Sequence, residues 1–371
     1  MATETSTGSG ATSRREWWLW WADGKLFTLC LGSIAIVIAA GLIQVSFGAY
    51  SMTIAQTWQA VFNPEVIFNR QAWEAFILGA EVPEMGTRSL IVWNVRLPRV
   101  FVACLVGMNL AVSGAIFQAI TRNELASPFI LGVSSGAGLT VLLVLVVFPT
   151  LAAVLPLLAA IGGGFAFLLV YAIAWKNGTS PVRLVLAGVI VGTIFGSVQT
   201  GIFFFADDIG VVQSAISWTT GSLTGTDWEQ VRLALPWTVA PLVLSLVCAR
   251  QLNVLLLGES TASSLGMNVE RVRFAMAGIA VLSAAASISV AGMVGFVGLI
   301  VPHIVRNTVG AEYKKMIFGC IFAGPAMMVL ADVGARLALN PTQIPVGIVT
   351  GLIGGPYFLY LMRKQEKMGE I

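Results

Sequence analysis

The residues that could do chemistry in this sequence are few, and most sit in or beside apolar runs. Arg96-Leu97-Pro98-Arg99 sets two cations at the start of one run. Asp332 and Arg336 stand four apart near the end of another. That spacing puts both on one helix face, where each can neutralise the other. His303 is the single histidine, which excludes multi-histidine metal sites and bis-histidine haem ligation. Cys30, Cys104, Cys248 and Cys320 lie in apolar runs without C-x-x-C spacing. They read as small core hydrophobes, not as disulfides or metal ligands. No Walker A pattern occurs, so ATP hydrolysis by that route is not expected of this chain. Asp332 is the one acid well inside a predicted span, whereas ion-coupled carriers keep such groups near the midplane. The expected catalytic, metal and cofactor sets are therefore empty.

The elements that hold these residues follow from composition. Of 371 residues, 57% are hydrophobic and 11% charged, less than half the roughly 25% charge of soluble domains. A soluble enzyme, a disordered chain and a nucleic-acid binder are excluded. A span needs about 20 apolar residues, and on that rule the chain holds about ten. They run Leu26–Phe47, Val100–Ile120, Phe129–Phe148, Leu155–Trp175, Arg183–Ala206, Trp228–Gln251, Val272–Ala291, Met293–Val309, Lys315–Leu337 and Ile344–Met362. The cut at Ala291–Met293 falls within one long Gly-rich apolar stretch. With the N-terminus cytoplasmic, only Arg70, Arg88, Arg96, Arg99, Arg232 and Arg336 of the 21 Lys and Arg fall outside. The positive-inside rule thus puts both termini in the cytoplasm. Residues 1–25 are expected to form a cytoplasmic tail, disordered over the Thr/Ser/Gly/Ala-rich Met1–Ser13 and interfacial at Arg14, Arg15 and a Trp17–Trp21 belt, and residues 26–371 an all-α polytopic membrane domain.

Four features of the chain invite a role. In the outer stretch Gly48–Val95, Ile54, Trp58, Val61 and Phe62 recur at helical spacing and predict an interfacial amphipathic helix. Arg96 and Arg99, at the outer mouth of the second helix, either snorkel to lipid phosphates or dock an acidic partner. Gly188, Gly192, Gly196 and Thr200 repeat every four residues, as a helix-packing stripe or as a smooth wall for a bulky substrate. The cytoplasmic loop 258–267 runs Gly258-Glu259-Ser260-Thr261-Ala262-Ser263-Ser264-Leu265-Gly266-Met267. Gly at each end suggests a short helix between breaks, suited to a groove on a partner.

Several motifs, in one order from Arg96 to the C-terminus, resemble the iron-chelate permeases of ABC importers, a group that includes the vitamin B12 and haem permeases. They are Val95-Arg96-Leu97-Pro98-Arg99-Val100, Leu110-Ala111-Val112-Ser113-Gly114-Ala115 with Gln118, and Leu131-Gly132-Val133-Ser134-Ser135-Gly136-Ala137. Gly295-Phe296-Val297-Gly298-Leu299-Ile300-Val301-Pro302-His303, Leu330-Ala331-Asp332-Val333-Gly334-Ala335-Arg336-Leu337 and Ile344-Pro345-Val346-Gly347-Ile348-Val349-Thr350 complete the set.

The resemblance implies the type II importer permease fold in the cell membrane, as a homodimer with the substrate path on its axis. Two separate ATP-binding subunits, which hold ATP and Mg, attach inside, and a substrate-binding protein docks outside. Arg96, Arg99 and Arg336 resemble the cations that meet glutamates on the binding protein. Gly258, Glu259, Ser260, Ala262, Leu265 and Gly266 resemble the ATPase-coupling helix. Asn123 and Leu125 resemble the cytoplasmic gate, Thr179 and Ser180 a second gate layer. The family usually has Asn-Pro-Leu-Ala at the first gate, and here Glu124 replaces the Pro. At the inner end of the eighth helix, His303 is expected to make a structural hydrogen bond. Ferric siderophore is the first expected cargo, vitamin B12 the second and haem the third. An ion-coupled secondary transporter is the alternative, disfavoured by the missing midplane site.

Overall fold

The computed structural model describes residues 23–47, 50, 52–176, 178–206, 208–339 and 342–367. The expectations for Arg14, Arg15 and the Trp17–Trp21 belt lie outside the described residues. The principal apolar helices are α1 (Gly24–Ser46), α2 (Leu97–Thr121), α3 (Val133–Leu142), α4 (Leu155–Ala174) and α5 (Pro181–Phe203). They continue as α6 (Trp228–Val247), α7 (Val269–Ala291), α8 (Val297–Val309), α9 (Tyr313–Leu337) and α10 (Val346–Lys367). Among the described residues, seven helical stretches are long and apolar enough to cross a membrane, and three shorter ones contain α3, α8 and the apolar part of α10. We call the end of the bundle where α1 begins inner and the other outer, after the Lys/Arg bias.

The centre of the bundle is α2, which packs against α9, α7, α8 and α6. Its sequence permits this through glycine. A Cβ on Gly107 would collide with the backbone of Gly324 on α9, and a Cβ on Gly324 with that of Gly107. Farther along, a Cβ on Gly114 would strike the carbonyl of Gly298 on α8. Backbones therefore touch at two levels, the close approach that small residues allow in membranes, where dispersion replaces hydrophobic drive. Polar side chains lock the same contacts: Asn109 donates to Thr238 of α6 at 2.6 Å and accepts from Ser283 of α7 at 3.0 Å.

Outside this core, α5 shows much of its surface, with Val182, Leu186, Val189, Ile190 and Ile194 all more than half exposed. Such a face suits lipid or a second subunit.

The structure adds two features that periodicity does not show. The second helix begins at Thr87 and passes through a π-turn at Val92–Arg96 before α2 proper, so Arg96 lies inside a helix. A twelve-residue helix, Ile209–Thr220, capped by Asp208, also follows α5. It is too short for a span, so a span-length search passes over it. It braces the expected cut after α7: Trp218 O accepts the Met293 N–H at 2.9 Å, and Ala291 O accepts the Ser222 N–H at 2.8 Å. Gly292 takes φ +67 at the break, where a Cβ would strike the Trp218 carbonyl.

The outer stretch folds as short helices at Ile54–Val61, Pro64–Ile67 and Arg70–Leu78. The first is the expected amphipathic helix, started by a Thr53/Gln56 capping box, with Ile54, Trp58 and Phe62 exposed. Stacked rings of Trp93, Phe76 and Trp228 fasten the stretch to the start of α6, with centroids 5.5 and 5.0 Å apart.

Gly114→Ala should lower the thermal stability of the detergent-purified chain by about 1–3 kcal/mol, the usual cost of overpacking. Gly196→Ala, whose Cβ meets nothing within 4 Å, should be neutral or slightly stabilising. Equal thermal shifts for the two would contradict the close-approach account.

Candidate functional site

At the outer end the structure gathers Arg96, Arg99 and Arg336, but turns their side chains inward. Only 2%, 6% and 9% of each is exposed. The π-turn aims Arg96 back at the end of α1 and the chain just beyond it, where Nη1 donates to Val45 O and Nη2 to Tyr50 O, both at 2.6 Å. Arg99 makes a fork with Asp332 of α9: Nε to Oδ2 and Nη2 to Oδ1, each at 2.8 Å. Its Nη1 donates to Gln343 Oε1 at 2.6 Å. Asp332, fully buried, also accepts from Gln44 Nε2 on α1.

The expected Asp332–Arg336 pair is therefore replaced. Asp332 takes Arg99 across two helices, because a bidentate fork satisfies both carboxylate oxygens, while Arg336 Nη1 reaches Gln44 O at 3.1 Å. Arg336 Nε is buried without a partner among the described residues. For any of the three to meet an external carboxylate directly, the surrounding outer loops must move aside. Gln44 went unnoticed in the sequence; its signal is a lone amide in an otherwise apolar α1.

At the inner end the loop after α2 holds the first gate candidates. Arg122 ends α2 with φ +48, and Asn123 Oδ1 accepts the Leu125 N–H at 2.9 Å, an Asx-turn that shapes the loop without proline. Leu125 is 42% exposed. Glu124, at the position where the family usually has Pro, pairs with Arg306 of α8 at 2.7 Å and lies 3.7 Å from His303 Nδ1. The nearby His303 ring and the Arg306 guanidinium hold the Glu124 carboxyl below its ordinary range. The pairing is thus present at neutral pH and lost as pH falls through that lowered value. His303 Nε2 also lies 2.8 Å from Asn307 Nδ2, one turn on.

The second gate candidates lie under the 258–267 loop. Ser180 caps α5 by accepting the Arg183 N–H at 3.3 Å. Thr179 is buried and bound to Glu270 and Arg273 at the start of α7, two residues not singled out from the sequence. Their signal was a Glu–Arg pair at i,i+3 on the first turns of an apolar helix. The loop forms a short helix, Glu259–Ser264, between Gly258 at φ +110 and Gly266 at φ +84. Ser260, Thr261, Ser263, Ser264 and Leu265 face out, with Leu265 at 65% exposure. Ala262 is fully buried against its own subunit, and Glu259 reaches Arg273 at 2.6 Å.

The α5 stripe divides along its length. At Gly188 a Cβ would strike the Ile130 carbonyl, at Gly192 it meets Ser135 Oγ at 3.8 Å, and at Gly196 it meets nothing within 4 Å. Thr200 is exposed. The inner half is therefore packing, and the outer half is an open wall.

A double-mutant cycle on stability should couple Arg99 to Asp332 and couple Arg336 to Asp332 far less. Asp332→Asn leaves Arg99 buried and unpaired and should cost about 3–5 kcal/mol. Equal coupling in the two cycles would contradict the assignment.

Comparison with known proteins agrees with this architecture. Residues 36–364 match the model of the FecCD transport family. The chain is 36% identical over 348 residues to the Fe(3+)-citrate import system permease protein YfmD of Bacillus subtilis (strain 168), covering 94% of this chain and 97% of that one. It is 42% identical over 287 residues to the cobalamin import system permease protein BtuC of Halobacterium salinarum, covering 77% and 76%. Among solved structures, an inward-facing conformation of a metal-chelate type ABC transporter aligns with a TM-score of 0.76 at 27% identity. It covers 91% of this chain and 99% of that one. A helical multi-pass architecture and a family match over most of the sequence thus meet in one conclusion: the chain belongs to the FecCD transport family.

Proposed function

We propose that the chain is the permease subunit of a binding-protein-dependent ABC importer that takes up a metal chelate, a ferric siderophore first and cobalamin second, with haem third. It works as a homodimer in the cell membrane, with ten crossings and both termini inside. ATP and Mg are bound and hydrolysed on a separate subunit, and a binding protein delivers the cargo outside. The relatives' names, Fe(3+)-citrate and cobalamin import permeases, support the substrate classes.

The single observation that carries the reading is the Glu259–Ser264 helix. It is polar, set between two left-handed glycines, and offers Leu265 to a partner while Ala262 anchors it to its own subunit. In this mechanism ATP closes the two ATPase subunits, the small helices move, and the gates at Asn123–Leu125 and Thr179–Ser180 respond. Gly192, Gly196 and Thr200 then line the substrate path on the dimer axis. Arg96, Arg99 and Arg336 shape the outer landing surface for the binding protein, and Arg336 has a donor in reserve. A secondary carrier gains no support: the buried acid of the described spans, Asp332, is already engaged by Arg99 and Gln44.

The test is to reconstitute the chain with its ATPase and binding protein and to follow ATP turnover with ferric citrate, ferric hydroxamate, haemin and cobalamin. One loaded binding protein should stimulate turnover. Leu265→Asp should weaken ATPase-subunit binding at least tenfold, about 1.4 kcal/mol. Chelate uptake without any ATPase subunit would overturn the proposal.

A further inference from the structure

Arg273 joins two segments that have no other polar connection among the described residues. It lies on the second turn of α7, and only 1% of its side chain is exposed. Nη2 donates to Glu259 Oε1, on the small helix, at 2.6 Å. Nη1 donates to Thr179 O at 2.7 Å, to Thr179 Oγ1 at 3.0 Å and to Glu270 Oε1 at 3.1 Å. Glu270 completes the hold on the loop. Its Oε1 accepts the Thr179 N–H at 2.9 Å, and its Oε2 accepts the Thr179 hydroxyl at 2.8 Å and the Tyr171 hydroxyl of α4 at 3.2 Å. Gly178, at φ +114, brings the loop close to Glu270, whose Oε1 would lie 3.2 Å from a Cβ there. From the other side Arg183 of α5 donates to Gly178 O at 2.9 Å.

We propose that Arg273 is the positioning residue that carries motion of the Glu259–Ser264 helix to the Thr179–Ser180 loop, and so to the inner end of α5. The inference rests on the reading above, in which the small helix meets an ATPase and the loop is a gate. Its own content is the side chain that links them. Gly258 and Gly266 give the small helix hinges in a region of backbone space closed to most residues. A displacement of that helix has a polar route to the loop through Glu259 and the guanidinium. The planar fork matters because its two terminal nitrogens serve different segments at once, and an ammonium is a single point that cannot span both. Two carboxylates facing one guanidinium leave excess negative charge. Glu259 and Glu270 keep 43% and 30% of their side chains exposed, so water tempers that excess and the carboxylates can exchange partners during a stroke.

The experiment uses the chain with its ATPase and binding protein in proteoliposomes, with the four native cysteines replaced by Ala. A nitroxide at Val182→Cys, an exposed position two residues beyond the loop, reports the loop when ATP and vanadate are added, without any cargo. In the parent complex the spectrum should change. Arg273→Gln should keep the ATPase subunits bound and ATP turnover within about twofold, while the spectral change and ferric citrate or cobalamin uptake fall at least tenfold. Arg273→Lys, which keeps the charge but cannot bridge both segments at once, should restore little of the response. Glu270→Gln, which leaves the Glu259 bridge intact, should give a smaller loss of the same kind and serves if Arg273→Gln does not fold. A full spectral response in Arg273→Gln, or turnover and loop response falling in step, would overturn the inference. If the parent complex binds no ATPase or shows no response to ATP, the underlying functional reading fails instead, and the two failures are thus distinct.

Discussion

The outer half of the molecule depends on one buried carboxylate. Asp332 sits among apolar helices with no exposed surface, where an unpaired charge is costly. It is tolerable because Arg99 covers both oxygens and Gln44 adds a third donor. That requirement draws α1, α2 and α9 together at their outer ends and fixes their register. The π-turn before α2 belongs to the same arrangement, since it turns Arg96 onto Val45 O, a carbonyl in the last turn of α1, and onto Tyr50 O beyond it. Arg336 completes the knot from α9 through Gln44 O. The outer face is therefore a braced surface.

The inner end follows the same physics with the opposite consequence. Arg273 is as buried as Arg99, yet its carboxylate partners remain partly in water. A saturated, fully buried fork resists rearrangement, whereas half-solvated pairs can be exchanged at small cost. The loop after α2 has a comparable arrangement, with Glu124 half exposed and paired to Arg306. The outer end is thus rigid, and the inner end holds ion pairs that can exchange. Between them the glycine contacts of α2 with α8 and α9 hold the bundle together as one packed unit.

Much of this was legible in the sequence. Hydropathy placed most of the apolar helices within a few residues, because the bilayer imposes length and composition on any span; the second helix, which begins at Thr87 well before Val100, is the exception. Glycines flanking a small-residue stretch marked the Glu259–Ser264 helix, and the amphipathic repeat marked Ile54–Val61. Both are local signals, set by backbone freedom or by one helix face. The Ile209–Thr220 helix and the π-turn were not legible, since neither has a period that separates it from its neighbours.

By itself, then, the sequence determined the class of molecule, the sequence of apolar segments and the residue types able to carry charge within them. It could not determine which charge meets which. From spacing, Asp332 belongs with Arg336; in three dimensions it belongs with Arg99, 233 positions away. Thr179 and Glu259 stood as separate candidates until Arg273 was seen between them. Pairing inside a bundle is decided by which helices pack side by side. A buried donor takes the acceptor that saturates it best, and distance along the chain does not enter that choice.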